Sequence, residues 1–102
     1  MNTLHTINKS PFTHNTLMSC LAVCGPNDSI LLIEDGAYAA SRQSPCSPAL
    51  REKIAAGIAV YVLQSDIELR GLQTAVLDKI QLTDYQGFVR LSTEHRCTQS
   101  WY

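Results

Sequence analysis

Four cysteines, Cys20, Cys24, Cys46 and Cys97, are the residues of this 102-residue chain best suited to chemistry. A thiolate is a strong nucleophile that can hold a sulfur atom as a persulfide and pass it to another thiol. Cys20 is the sharpest candidate. It belongs to the set Leu17, Cys20, Leu21, Cys24, spaced i, i+3, i+4 and i+7, which is one face of a helix. The same register admits a plainer reading, and spacing alone favours it: free cysteine is among the most buried residue types and makes a small core residue. Cys24, at the helix end, is still more readily a packing residue. Cys46 lies between Pro45 and Ser47 in a polar stretch and is expected to be exposed, with only Arg42 and Arg51 as nearby cations. Cys97 follows Arg96 and lies near His95, which suits a thiolate or strand-edge packing equally.

Metal and cofactor chemistry has less support. Cys20 and Cys24 are spaced C-x3-C inside a helix, whereas structural zinc uses tighter knuckles with a second pair. His5, His14 and His95 are scattered and unpaired along the chain, so no metal and no cofactor is expected. Glu34-Asp35-Gly36 closes a strand where open α/β sheets often bind ligands. Adjacent residues there point to opposite sides, so a turn with Gly36 at a special backbone angle is the stronger reading, and Asp35 has no evident partner. Neither G-x-G-x-x-G, a P-loop nor G-x-S-x-G is present. The pair Trp101-Tyr102 reads as a docked strand or a subunit contact.

The elements that must position these residues alternate in type. Leu4–Ile7 reads as a first strand, stopped at Ser10-Pro11, and His14–Cys24 as a first helix, stopped at Gly25-Pro26-Asn27-Asp28. Ser29–Ile33 is a continuous apolar strand of the kind buried on both faces of a parallel sheet. A short helix over Ala37–Ala40 and a polar loop over Ser41–Pro48 precede a helix over Ala49–Ala56. Ala59–Leu63 is a third strand. Ser65 or Asp66 can cap a short helix through Arg70, and Gly71 can end it. Lys79–Leu82 is a fourth strand, Thr83 or Asp84 can cap a helix reaching about His95, and Cys97–Tyr102 returns as a last strand. This order predicts one α/β domain over residues 1–102. Its open, mostly parallel sheet has about five strands, flavodoxin-like or Rossmann-like, with helices on both faces.

Composition narrows the function classes. Eight Lys and Arg against nine Asp and Glu give a formal charge of −1, too balanced for binding driven by phosphate contacts or by an anionic membrane surface. Direct nucleic-acid contact is therefore not expected. The longest apolar runs, such as Ile30–Ile33 and Ala59–Leu63, fall far short of the roughly 20 residues of a spanning helix. Met1–Pro11 has no apolar core of an export signal, so the expected location is the cytoplasm, where cysteines stay as thiols.

Taken in order, several pieces resemble the TusB/DsrH family, the small subunits of TusBCD/DsrEFH sulfur-transfer complexes. They are Leu4-His5-Thr6 with Ser10-Pro11, then Leu31-Leu32-Ile33-Glu34-Asp35-Gly36. Val60-Tyr61-Val62-Leu63 follows with Asp66 and Arg70-Gly71-Leu72. Asp84-Tyr85 and Gly87-Phe88-Val89 complete the set with Leu91, His95 and Trp101. The resemblance implies a DsrEFH-like fold and a cytoplasmic heterohexamer with TusC/DsrF-like and TusD/DsrE-like subunits. It also implies a persulfide relay between upstream and downstream sulfur carriers. In TusBCD that relay serves 2-thiouridine formation at the tRNA wobble base; in DsrEFH it serves sulfur oxidation. The family's main sulfur-carrying cysteine belongs to the D/E-type sister subunit. Some DsrH-type chains carry a further cysteine in the first helix, the position that Cys20 matches, which makes Cys20 the candidate catalytic residue. Two other readings stand beside this one. A stand-alone thiol sulfurtransferase would need a basic, donor-rich cysteine loop, and a flavodoxin-like binding module would need a phosphate cradle or an acidic pocket.

Overall fold

Short runs of large and branched apolar residues, each followed by a turn signal and a helix-forming stretch, fold as the sequence predicts. The computed structural model describes residues 2–102. Its strands are β1 (Thr3–Ile7), β2 (Ser29–Leu32), β3 (Ala59–Leu63), β4 (Gln81–Thr83) and β5 (Cys97–Trp101). Its helices are α1 (Thr16–Val23), α2 (Ser47–Ala55), α3 (Gln64–Leu69) and α4 (Tyr85–Glu94), with a 3-10 helix over Glu34–Ala40. The five strands form a single sheet in the order β4-β3-β2-β1-β5, with every neighbouring pair parallel. The run β3-β2-β1 follows the Rossmann order; β5 takes the place on the far side of β1, and β4 extends the other edge.

Strand alternation divides the core in two. Ile7, Ile30, Leu32, Val60 and Val62 face one side, where α1, α2, α3 and the 3-10 helix supply Leu17, Cys20, Leu21, Ala37, Leu50 and Ile67. Leu4 and Leu31 face the other side, covered by α4 through Leu91 and Phe88. Each fully buried Leu or Ile contributes about 1.5–3 kcal/mol of transfer free energy. The sheet is therefore held from both faces, but much more heavily from the first. The β1–β5 pair runs in full register from Thr3↔Cys97 to Ile7↔Trp101, which fastens the last strand to the first.

Several local expectations are corrected. Gly36 does not take a left-handed angle; Glu34 does, at φ 51°. Gly36 is required for a different reason: a Cβ there would lie 2.1 Å from the carbonyl oxygen of Ile7. Cys46 is not exposed but 4% accessible, because α2 starts at Ser47 and the 41–46 turns fold inward on bonds such as Ser44 Oγ accepting from Cys46 N–H at 3.0 Å. Asp66 does not cap α3, which begins at Gln64; its carboxylate instead accepts the Glu34 N–H at 2.8 Å. Asp84 does cap α4, accepting from Gly87 N–H at 2.8 Å. The export-signal reading begins at Met1, which lies outside the described residues. Among the described residues no helix is long and apolar enough to cross a membrane.

Candidate functional site

The parallel pairing of β1 with β5, and the packing of α1 over both, gather five side chains that the sequence keeps far apart. His5 projects from β1 toward the α1 side and is 5% accessible. The indole Nε1–H of Trp101, from β5, donates to His5 Nδ1 at 3.0 Å. Indole can only donate, so Nδ1 is the acceptor and the ring proton sits on Nε2. That proton is given to Asp28 Oδ2 at 2.9 Å. Asp28 is held in turn by the backbone N–H groups of Gly25 and Thr3, both at 2.9 Å. Burial pushes the Asp28 carboxyl up, but the bonds from Gly25, His5 and Thr3 outweigh it and hold the group below the usual range. The turn after α1 thus orients the imidazole through a carboxylate, and the last strand orients it through an indole.

The thiols lie beside this ring. Cys20 is fully buried and Cys24 half-buried, with their Sγ atoms 3.7 Å apart. Cys24 is the residue after α1, and its N–H still bonds the Cys20 carbonyl at 3.0 Å, so one helical turn stacks the two sulfurs. The hydrogen bond between the two sulfurs is the main cause that holds the Cys20 thiol up, with burial adding to it. The same bond pulls Cys24 down, against its own burial and the nearby Asp28 charge, with Lys53 helping. The arrangement leaves Cys24 as the outer and more readily ionised sulfur of the pair, with Cys20 buried inside it. A ring nitrogen of His5 and both sulfurs lie within 4.8 Å of one another, the one such donor set among the described residues. The reading of the histidines as scattered and unpaired is corrected for His5. It is corrected for His95 too, whose ring nitrogens reach the Leu91 carbonyl at 2.7 Å and Ser29 Oγ at 2.9 Å.

The remaining candidates are placed apart from this cluster. Burial pushes the Cys46 thiol up, which makes it inert. Cys97 is exposed on the edge strand, its Sγ 3.1 Å from Thr3 Oγ1. The ring of exposed His14 meets the hydroxyl of its neighbour Thr13 at 2.8 Å. Asp35 does have a partner, contrary to the sequence reading: Arg70 reaches it at 3.0 Å, bonds Asp66 at 3.2 Å, and lies over the Tyr38 ring at 5.8 Å. That group ties the 3-10 helix to α3. Sequence reasoning missed the parts played by His5, Asp28 and Trp101. The one available signal was the Asp28 turn directly after the cysteine-bearing helix, since a carboxylate near a turn often bonds local N–H groups.

The match to the family described as DsrH like protein covers residues 9–98. "Protein TusB" of Photorhabdus laumondii is 38% identical over 100 residues, spanning 96% of this chain and 99% of that one. "Protein TusB" of Escherichia coli K12 is 35% identical over 98 residues, with the same shares covered. Among solved structures, the protein of unknown function MTH1491 from Methanobacterium thermoautotrophicum superposes with a TM-score of 0.82 over 97% of both chains at 12% identity, a likeness of fold. With the family match covering residues 9–98 and a relative 38% identical across 96% of the chain, the chain belongs to the TusB/DsrH family.

Proposed function

We propose that this chain is a subunit of a cytoplasmic sulfur-relay complex that passes persulfide sulfur between proteins, in the service of wobble-uridine 2-thiolation of tRNA. Membership in the TusB/DsrH family, across nearly the whole chain, is the observation that carries this reading. The partners are a TusC/DsrF-like and a TusD/DsrE-like subunit in a heterohexamer, with this subunit completing the assembly and shaping the surface on which sulfur carriers dock. The exposed apolar side chains Leu82, Tyr85 and Val89, on β4 and α4, suit a subunit contact better than open water.

The thiol pair supports a direct part in transfer. In this reading a thiolate attacks the terminal sulfur of a donor persulfide R–S–SH. A new S–S bond forms on the subunit, the donor's S–S bond breaks, and the donor leaves as the thiolate R–S⁻. Cys24 is the point of entry because it is half-buried and its thiolate is favoured. Cys20 is the inner carrier, taking the outer sulfur from Cys24 by the same exchange across the 3.7 Å gap: a Cys20 S–S bond forms, the Cys24 S–S bond breaks, and the Cys20 proton passes to the leaving Cys24 sulfur.

Affinity capture of the tagged chain from its native cells, followed by the intact mass of the complex, tests the assembly. Two related small subunits in equal amounts support it; a lone chain, with those subunits present in the lysate, overturns it. Radiolabelled sulfur transfer through the purified complex then tests the cysteines. Cys20→Ser is expected to leave assembly intact and reduce transfer, and unchanged transfer in both Cys20→Ser and Cys24→Ser reduces the subunit to a scaffold.

A further inference from the structure

We propose that His5, Cys20 and Cys24 form a binding site for a thiophilic cation of the zinc class, with Asp28 as the outer partner of the histidine and Trp101 as its gate. The ligand chemistry is soft enough to select such an ion: two sulfurs and one imidazole suit zinc, cadmium or cuprous copper and not magnesium or calcium. All three donor atoms lie within 4.8 Å of one another. Their spacing also suits a metal. Two thiolates each about 2.3 Å from a tetrahedral zinc stand about 3.8 Å apart. The two Sγ atoms are 3.7 Å apart, so the sulfur edge of the tetrahedron is set by one turn of α1 with no rearrangement.

The outer shell supplies independent support. A ligating histidine usually gives its other ring N–H to a carboxylate, which fixes tautomer and ring plane. His5 Nε2 bonds Asp28 Oδ2 at 2.9 Å, and both oxygens of Asp28 are held by backbone N–H groups. Nε2 is thereby committed and Nδ1 is the nitrogen left to ligate. Its lone pair accepts the Trp101 indole N–H at 3.0 Å. A cation and that N–H need the same lone pair, so binding must displace the indole. Trp101 is on the edge strand β5 and half-buried, so its side chain can swing away without unfolding the sheet. Cys24 is half-buried, so water or an incoming sulfur ligand can reach a cation held by the pair from that side. This inference stands on the donor geometry and holds whether or not the subunit carries sulfur.

The test is a titration of the full-length, reduced, chelator-treated chain with cadmium chloride. Thiolate-to-cadmium charge-transfer absorption and the fluorescence of Trp101, the chain's single tryptophan, are read together. The expected result is saturation at one equivalent, with the indole emission changing in step with the absorption band. Cys24→Ala and His5→Gln are each expected to weaken binding at least about tenfold, and Asp28→Asn by about 10- to 100-fold. Cys97→Ala is expected to bind as the parent does. Trp101→Phe, which frees Nδ1, is expected to bind more tightly. Absence of a stoichiometric band overturns the proposal, as does a band that survives Cys24→Ala and His5→Gln in folded protein. Weaker binding by Trp101→Phe overturns the gate. Because Cys24 is half-buried, its alanine variant keeps the test decisive even where His5→Gln fails to fold.

Discussion

Trp101 and His5 are 96 positions apart, yet the indole Nε1–H of one donates to Nδ1 of the other at 3.0 Å. The bond exists because β5 pairs with β1 in parallel, placing Trp101 opposite Ile7 and letting its ring lean back along the strand. It fixes the imidazole tautomer, and through it the use of Asp28. In Trp101→Phe the Nδ1 acceptor loses its donor in a mostly buried site, and a lost buried hydrogen bond costs about 1–2 kcal/mol. Denaturant unfolding is expected to show that loss. Imidazole 15N spectra are expected to show the Nε2–H form dominant in the parent and a mixture in the variant. A parent spectrum with Nδ1 protonated would contradict the assignment.

Gly36 sits where the chain leaves β2 and crosses the end of β1. A Cβ there would meet backbone, the Ile7 carbonyl at 2.1 Å, and backbone of a central strand cannot yield cheaply. Gly36→Ala is expected to cost about 3 kcal/mol or more, or to prevent accumulation of folded protein. Gly87→Ala makes a useful contrast. Its Cβ would meet the Thr83 side-chain hydroxyl, which can rotate away, so a smaller loss of thermal stability is expected.

Arg70 links two carboxylates and an aromatic ring. Its bond to Asp66 is sheltered, whereas Asp35 is 63% exposed and its share is weakened by water and salt. Burial pulls the guanidinium down, but its bond to Asp35 and the charges of Asp66 and Asp35 outweigh it and hold the group above its ordinary value. Arg70→Ala is expected to lose about 1–2 kcal/mol, most of it from the Asp66 contact and the packing on Tyr38. Arg70→Lys should recover only part, because an ammonium cannot reach both carboxylates as a planar fork does. Urea midpoints at low and high salt measure both effects, and a loss that vanishes at high salt would place the contribution in the Asp35 pair.

The four thiols should react in an order set by burial. Timed alkylation with peptide mapping is expected to modify exposed Cys97 and half-buried Cys24 first. Cys20 and Cys46, both buried, should wait for opening of the fold and react about 100-fold more slowly or less. Cys46 carries a pH consequence. Its folded value is raised above the ordinary thiol value by burial, so its contribution to stability is fully present below that ordinary value and is lost as pH rises from there through the raised folded value. Cys46→Ala should flatten that alkaline loss in thermal melts recorded from neutral pH upward.

The order of strands and helices was legible in the sequence because each element carries its own periodicity and stop. The run Ser29–Leu32 is continuous because the strand is buried on both faces, α1 repeats its apolar residues at helical spacing, and Asp84 caps α4 where a helix had to begin. The candidate Cys20 was visible too, since a cysteine on the apolar face of the first helix is a local pattern. What the sequence could not convey was the company Cys20 keeps. Burial of Cys46 depends on turns folding inward, and Gly36 is a matter of clearance from Ile7, not of its own backbone angle. The His5 cluster depends on the sheet order, which sets β5 beside β1 and not beside β4. Local propensity acts over a few residues, while an indole, an imidazole, a carboxylate and two thiols from distant parts of the chain meet only when the parallel pairing of strands brings them within hydrogen-bond reach.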